Sequence, residues 1–133
     1  KAKSNWKIGD KVCALLGGGG YADFVSVKYD MCMPVPEKCT MAEAAAIPEA
    51  FATADLNMFI EGGIKEGNTL LVTGGNSGLS SVIIPMARAF GIRTITTVRN
   101  SEKAKAIAHL SVINQYLPFQ YFSLLVLIVL LIP

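Results

Sequence analysis

Leu70-Leu71-Val72-Thr73-Gly74-Gly75-Asn76-Ser77-Gly78-Leu79-Ser80 decides the fold of this chain. An apolar run breaks into a glycine-rich turn, a helix-like segment follows, and a second apolar strand, Thr94-Ile95-Thr96-Thr97-Val98, comes about one helix later. That order is the first β-α-β unit of a dinucleotide-binding fold. Glycines suit the turn because backbone N–H groups must approach a pyrophosphate with no Cβ in the way. The helix beginning beside them offers its positive end to the anion. Gly75, Ser77 and Ser80 fall at the three marked positions of G-x-G-x-x-G, and Gly78 is additional.

Outward from the turn, Ile64-Lys65-Glu66-Gly67-Asn68 is read as a turn feeding a strand over Thr69 to Thr73. Leu79 to Phe90 is expected to form the helix that covers the sheet, closing at Gly91. Pro85 lies inside it, where a proline removes one backbone hydrogen bond at a cost of about 3 kcal/mol or a kink. Ser101 is expected to cap a further helix from Glu102 to about Leu110. The second strand ends Val98-Arg99-Asn100-Ser101, with no carboxylate before Glu102. An acidic residue there would accept hydrogen bonds from a ribose 2′-hydroxyl and select NAD, whereas a 2′-phosphate asks for positive charge. Arg99 offers a planar fork and Lys103 a second cation, so the cofactor expected is NADPH.

The residues before the turn are β-rich and turn-rich. Trp6 to Leu16 carries a turn at Gly9-Asp10 and then a strand, and Gly17 to Gly20 form a flexible turn. Tyr21-Ala22-Asp23-Phe24-Val25-Ser26-Val27 alternates as a half-buried strand does. Met33-Pro34-Val35-Pro36 is extended, since each proline bars the helical region to its predecessor. Thr40 and Glu43 form a capping box ahead of Ala44-Ala45-Ala46. A second helical stretch from about Ala50 to Ile60 places Phe51, Leu56, Phe59 and Ile60 on one apolar face and ends at Gly62-Gly63.

A length of 133 residues fits one domain or pieces of two, and 52% hydrophobic against 17% charged residues argues against disorder. A net charge of +2 gives no case for nucleic acid as a partner. Cys13, Cys32 and Cys39 include no C-x-x-C pair, and His109 is the only histidine, so the sequence argues for free thiols in a reducing cytoplasm and against a metal site. The opening Lys1, in place of methionine, predicts a start inside a longer protein. Phe119 to Pro133 carries no charge and includes the unbroken apolar run Leu124 to Ile132. As a helix, Phe119 to Ile132 reaches roughly 21 Å, short of the roughly 30 Å hydrocarbon core of a bilayer. A buried strand, a partial membrane segment and out-of-frame translation all fit this tail; the last is favoured because it explains an abrupt change of character.

Several segments carry a likeness in a fixed order. They are Trp6-Lys7-Ile8-Gly9-Asp10-Lys11-Val12 (W-x-x-G-D-x-V), Gly18-Gly19-Gly20-Tyr21-Ala22-Asp23-Phe24-Val25 (G-G-x-Y-A-E-Y-V), and Pro34-Val35-Pro36 with Ala44-Ala45-Ala46-Ile47-Pro48-Glu49 (P-x-P…A-A-A-x-P-E). Phe51 to Asn57 and Gly63-Ile64-Lys65-Glu66-Gly67 continue it. Together, residues 5 to 110 resemble the zinc-independent medium-chain dehydrogenase/reductases of the NADPH quinone oxidoreductase type. The resemblance implies an α/β chain: part of a GroES-like β domain over 1–47, the start of a Rossmann NADPH-binding domain over 48–115, and an atypical apolar tail over 116–133.

The activity implied is hydride transfer from NADPH to a quinone or conjugated carbonyl. Thr53 would stand on the nicotinamide side; Gly75, Asn76, Ser77, Gly78, Leu79 and Ser80 would hold the pyrophosphate; Arg99, Asn100 and Lys103 would hold the 2′-phosphate. No residue presents itself as a catalytic acid or base. Full-length members of the family are commonly homodimers. Asp55 stands where the family has Tyr or Trp, Ser80 replaces a glycine, and Pro85 replaces a helix former. After Val112-Ile113-Asn114, which resembles the third strand, the likeness stops, and a truncated, inactive chain is expected.

Two other readings compete. Thr73-Gly74-x-x-x-Gly78-x-Ser80 is close to the T-G-x-x-x-G-x-G of short-chain dehydrogenases. The residues before it favour the medium-chain family, because a short-chain enzyme puts this turn near its N-terminus. The rival from another class is a non-enzymatic, truncated product with residual nucleotide binding, whose unpaired strand edges would make it prone to aggregate or to attach to a membrane through the tail.

Overall fold

The computed structural model describes residues 5–110, 113–114 and 130–132. Val112 and residues 115–129, the greater part of the charge-free tail, lie outside the described residues. The chain divides into two compact units, Lys1–Ala52 and Thr53–Pro133.

In the first unit, β1 (Val12–Ala14) pairs antiparallel with β2 (Cys32–Pro34), Cys13 standing opposite Met33. The turn before β1 is closed by Asp10, whose Oδ2 accepts from the Lys7 N–H at 2.7 Å while its own N–H donates to the Lys7 carbonyl at 3.1 Å. The proline-flanked segment is extended as expected, and the Val35 N–H donates to the Lys11 carbonyl just beyond β2. Helix α1 (Met41–Ala45) packs on β1, with Ala44 fully buried. Its start is the expected capping box: the Glu43 N–H donates to Thr40 Oγ1 at 3.3 Å, and the Thr40 N–H donates to Glu43 Oε2 at 2.8 Å.

Tyr21–Val27 is not a strand. Tyr21 and Phe24 are 110% and 93% exposed, and the segment is irregular. Alternation makes a strand only where a neighbour takes its backbone hydrogen bonds, and among the described residues no strand pairs with this one.

The second unit is built on β3 (Thr69–Val72), α3 (Ser80–Ala89) and β4 (Arg93–Thr96). The two strands are parallel, Thr69 opposite Arg93 and Val72 opposite Thr96. Helix α4 (Ser101–Ile107) follows, then a 3₁₀ turn over Ala108–Leu110 and β5 (Ile113–Asn114), parallel to β4. β6 (Leu130–Ile132) lies antiparallel on the other edge of β3, giving the order β5-β4-β3-β6. The first three strands therefore stand in the 3-2-1 order of a doubly wound sheet.

Leu70 and Val72 from β3, Ile83 and Ala87 from α3, and Ile92 form the core with Ala54, Met58 and Ile64. Each large side chain among them contributes roughly 1.5–3 kcal/mol relative to exposure. α3 stops in a Schellman motif: the Ile92 N–H reaches the Ala87 carbonyl at 2.9 Å, the Gly91 N–H reaches Arg88 at 3.1 Å, and Gly91 takes φ +68°. Pro85 is accommodated without ending the helix; it and Ser81, four residues earlier, are both exposed, so the carbonyl it frees is not buried among apolar side chains.

Three expectations shift. Helix α2 runs over Ile47–Asp55 and passes into a π-helical turn, Leu56–Glu61. Asn57 Nδ2 donates to the Thr53 carbonyl at 2.8 Å, giving that carbonyl a partner other than a backbone amide. The buried face is not the expected one: Ala54 and Met58 are fully buried, Phe59 is partly so, and Phe51, Leu56 and Ile60 are exposed. α4 is capped by Asn100, one residue earlier than expected; its extended backbone lets Oδ1 accept from the Lys103 N–H at 3.0 Å. β4 ends at Thr96, and Val98 instead packs with Ala104 and Ile107. Among the described residues no helix is long and apolar enough to cross a membrane.

Hydrogen bonds from the Thr40 backbone and then its hydroxyl hold the Glu43 carboxyl below its usual 4.5. A depressed folded value means that the contribution to stability is complete above the unfolded value and is lost as pH falls through the lower one. Carboxyl-detected NMR titration should place the Glu43 midpoint below 4.5, and Thr40→Ala should raise it. An unmoved midpoint in the variant, which keeps the Thr40 backbone N–H, would remove the hydroxyl as a cause.

Candidate nucleotide site

Parallel strands present their carboxyl ends on one side of a sheet, so the segments following β3 and β4 share an edge. Hydrogen bonds join them. The Thr97 N–H donates to the Val72 carbonyl at 3.1 Å, which carries the pairing one residue past β4. The Gly75 N–H then donates to the Thr97 carbonyl at 2.9 Å, and the Gly74 N–H donates to Thr97 Oγ1 at 3.3 Å. Beside it, Thr96 Oγ1 donates to the Val72 carbonyl at 2.8 Å and is buried.

Gly75 is a glycine because of this approach. A Cβ on it would lie 2.7 Å from Thr96 Cγ2 and 2.8 Å from Thr96 Cβ, distances that real side chains do not tolerate. Its missing Cβ thus serves contact between turn and strand, which sequence reasoning had assigned to phosphate approach. The serines complete the turn. Ser77 N–H donates to the Gly74 carbonyl at 2.9 Å, Ser80 Oγ donates to the same carbonyl at 2.9 Å, and the Ser77 and Ser80 hydroxyls are 2.8 Å apart. Ser80 is 1% exposed, and its hydroxyl bonds inward. Leu79 anchors the turn to the core.

This bonding sorts the expected phosphate donors. The N–H groups of Gly75, Ser77 and Ser80 are engaged within the unit, the last with Ser77 Oγ at 3.2 Å. Among the described residues, the N–H groups of Asn76, Gly78 and Leu79 have no hydrogen-bond partner. Asn76 and Gly78 are exposed. These three donors stand at the start of a ten-residue helix with no acidic residue in its first turn and Arg88 in its last, a field that suits an anion.

Past β4, Arg99 is exposed, Lys103 is half-buried, and Asn100 is occupied as the cap of α4 through Oδ1. Arg99 and Asn100 follow Thr97 closely, so the clamp on Gly74 and Gly75 ties the basic segment to the glycine turn. Thr53 lies on α2, half-buried, its carbonyl accepting from Asn57; it has no hydrogen bond to either segment among the described residues. Sequence reasoning missed Thr96 and Thr97. The signal was present in Thr94-Ile95-Thr96-Thr97: hydroxyls at the buried end of a strand need partners, and the Val72 carbonyl and the Gly74 N–H supply them.

No family model matches the chain. It is 33% identical over 102 residues to the squalestatin tetraketide synthase of Phoma sp. (strain C2932) and 30% identical over 105 residues to the quinone oxidoreductase of Mus musculus. These matches take in 77% and 78% of this chain, which spans 4% of the synthase and 32% of the mouse protein. Among solved structures, the quinone oxidoreductase of Thermus thermophilus, also determined in complex with NADPH, superposes with a TM-score of 0.66 at 32% identity, over 74% of this chain and 32% of that one. Two of these three likenesses are quinone oxidoreductases, the type that the motifs of residues 5–110 resemble.

The close approach of Gly75 to Thr96 has a measurable consequence. Gly75→Ala should destabilise the chain by about 1–3 kcal/mol in urea unfolding, the cost of overpacking. Gly78→Ala, where an added Cβ meets nothing within 4 Å, should fall within about 0.5 kcal/mol of the parent. Equal effects would dismiss the steric account.

Proposed function

Sequence and fold alike align this chain with the quinone oxidoreductases of the medium-chain dehydrogenase/reductase family, and from that kinship we propose that it binds NADPH for hydride transfer to a quinone or another conjugated carbonyl. The observation that carries the reading is the braced glycine turn, with the amides of Asn76, Gly78 and Leu79 left over at the start of α3. On this reading those amides donate to the pyrophosphate. Gly75, Ser77 and Ser80 hold the turn in shape around them. Arg99 takes the 2′-phosphate through its guanidinium, Lys103 adds charge, and Asn100 fixes the segment by capping α4. Thr53 stands on the nicotinamide side.

Bound NADPH supplies the hydride; the chain orients it and shields it from water. The proton that a reduced quinone takes up can come from solvent, so no acid among these residues is required. Three free thiols among the described residues suit a reducing, cytoplasmic setting. A second reading, nucleotide binding without turnover, rests on the same amides, which hold phosphate and perform no chemistry themselves.

Titration of the purified chain should give tighter binding of NADPH than of NADH. Arg99→Ala should cut that preference about tenfold or more, the worth of a charge-assisted hydrogen bond, while leaving NADH affinity in place. An unchanged preference overturns the Arg99 assignment. NADPH-dependent reduction of an ortho-quinone by the same preparation separates the two readings: turnover supports the first, and saturable NADPH binding with no turnover supports the second.

A further inference from the structure

Thr97 is 7% exposed and bonds through three groups to the segment opposite it: its N–H to Val72, its carbonyl to the Gly75 N–H, and its hydroxyl to the Gly74 N–H. The first two are backbone bonds that many residues would make. The third needs a side-chain acceptor at this one position. By engaging the Gly74 amide at 3.3 Å, the hydroxyl holds the Thr73–Gly74 peptide, while the Thr97 carbonyl holds the next peptide through the Gly75 N–H, on either side of a residue that takes φ +69°. The orientation of Gly74 also sets its carbonyl, which accepts from Ser77 N–H and Ser80 Oγ at 2.9 Å each. The hydroxyl and the carbonyl of Thr97 together thus reach the first turn of α3 through the two peptide groups that flank Gly74.

We propose that Thr97 is a positioning residue for the dinucleotide: its hydroxyl holds Gly74 so that the amides of Asn76, Gly78 and Leu79, rather than those of Gly74 and Gly75, face the phosphates. This rests on the nucleotide reading given above. The pyrophosphate is common to both nicotinamide cofactors, so Thr97 governs affinity for NADPH and NADH together. Arg99 governs the ratio between them.

Thr97→Val keeps the shape of the side chain and removes the acceptor; Thr97→Ser keeps the acceptor. In the full chain, Thr97→Val should weaken NADPH and NADH binding alike, each by about fivefold, the size expected for one neutral hydrogen bond. Thr97→Ser should return both to the parent values. Amide exchange without nucleotide should quicken at Gly74 in Thr97→Val and not in Thr97→Ser.

Parent affinities in Thr97→Val would overturn the proposal. So would a loss that Thr97→Ser fails to rescue, or one that changes the NADPH-to-NADH ratio. If the parent chain binds neither nucleotide, the nucleotide reading itself has failed. In that case unchanged exchange at Gly74 in Thr97→Val would show separately that the clamp has failed too.

Discussion

Gly75 and Thr96 come so near each other that neither a larger residue at position 75 nor a shifted register in the sheet is compatible with the packing observed. The approach exists because β3 and β4 are parallel and end level, Val72 opposite Thr96. Level ends put a threonine directly beside the turn leaving β3. Its hydroxyl is buried and takes the Val72 carbonyl, which also accepts from the Thr97 N–H. Among the described residues, no buried side-chain polar atom lacks a partner, and around the turn that satisfaction is what gives the loop one shape. A flexible glycine segment becomes a rigid one without any bulky residue in it.

Legibility in the sequence tracked how local each cause was. The glycine turn, the strands on either side of it, the capping box of Thr40 and Glu43, and the helix stop at Gly91 all follow from residues within one turn of one another, and all are present. Tyr21–Val27 shows the opposite case. Its alternation is genuine, but a strand is a relation between two segments, and periodicity in one of them says nothing of the other. The apolar face expected from Phe51 to Ile60 followed the largest side chains, whereas the face that packs is Ala54 and Met58, four residues apart, with Leu56 and Ile60 outside it. Asn100 displaced Ser101 as a cap because both residue types suit the role and only backbone geometry separates them.

In the candidate site the same division holds at finer scale. The residue types were readable, but their roles depended on which donors the fold had already engaged. Glycine in the turn suggested room for phosphate; at Gly75 the room belongs to Thr96. Serine at position 80 read as a departure from the glycine pattern, yet its hydroxyl bonds the Gly74 carbonyl and sits inside the unit at no cost in unsatisfied polar groups. Hydrogen bonding that closes the turn and hydrogen bonding that holds a ligand draw on one set of amides. What remains for an anion is therefore found by subtraction, and no motif performs it.

The tail poses the question of whether a strand pairing implies a shared design. β6 lies antiparallel against β3, with Leu71 opposite Leu130, and so occupies the edge where a doubly wound sheet would continue with a parallel strand. An open edge beside a buried strand offers unpaired amides and carbonyls to any extended segment. Accepting such a segment requires no proline, no charge and a residue type at ease in an extended backbone, and the run Leu124 to Ile132 meets those terms through composition alone. Main-chain pairing is indifferent to which side chains carry it, and both parallel and antiparallel neighbours satisfy it. The position of β6 is thus explained by the demand of β3's edge and by apolar composition, and it holds equally for a native strand and for an out-of-frame one.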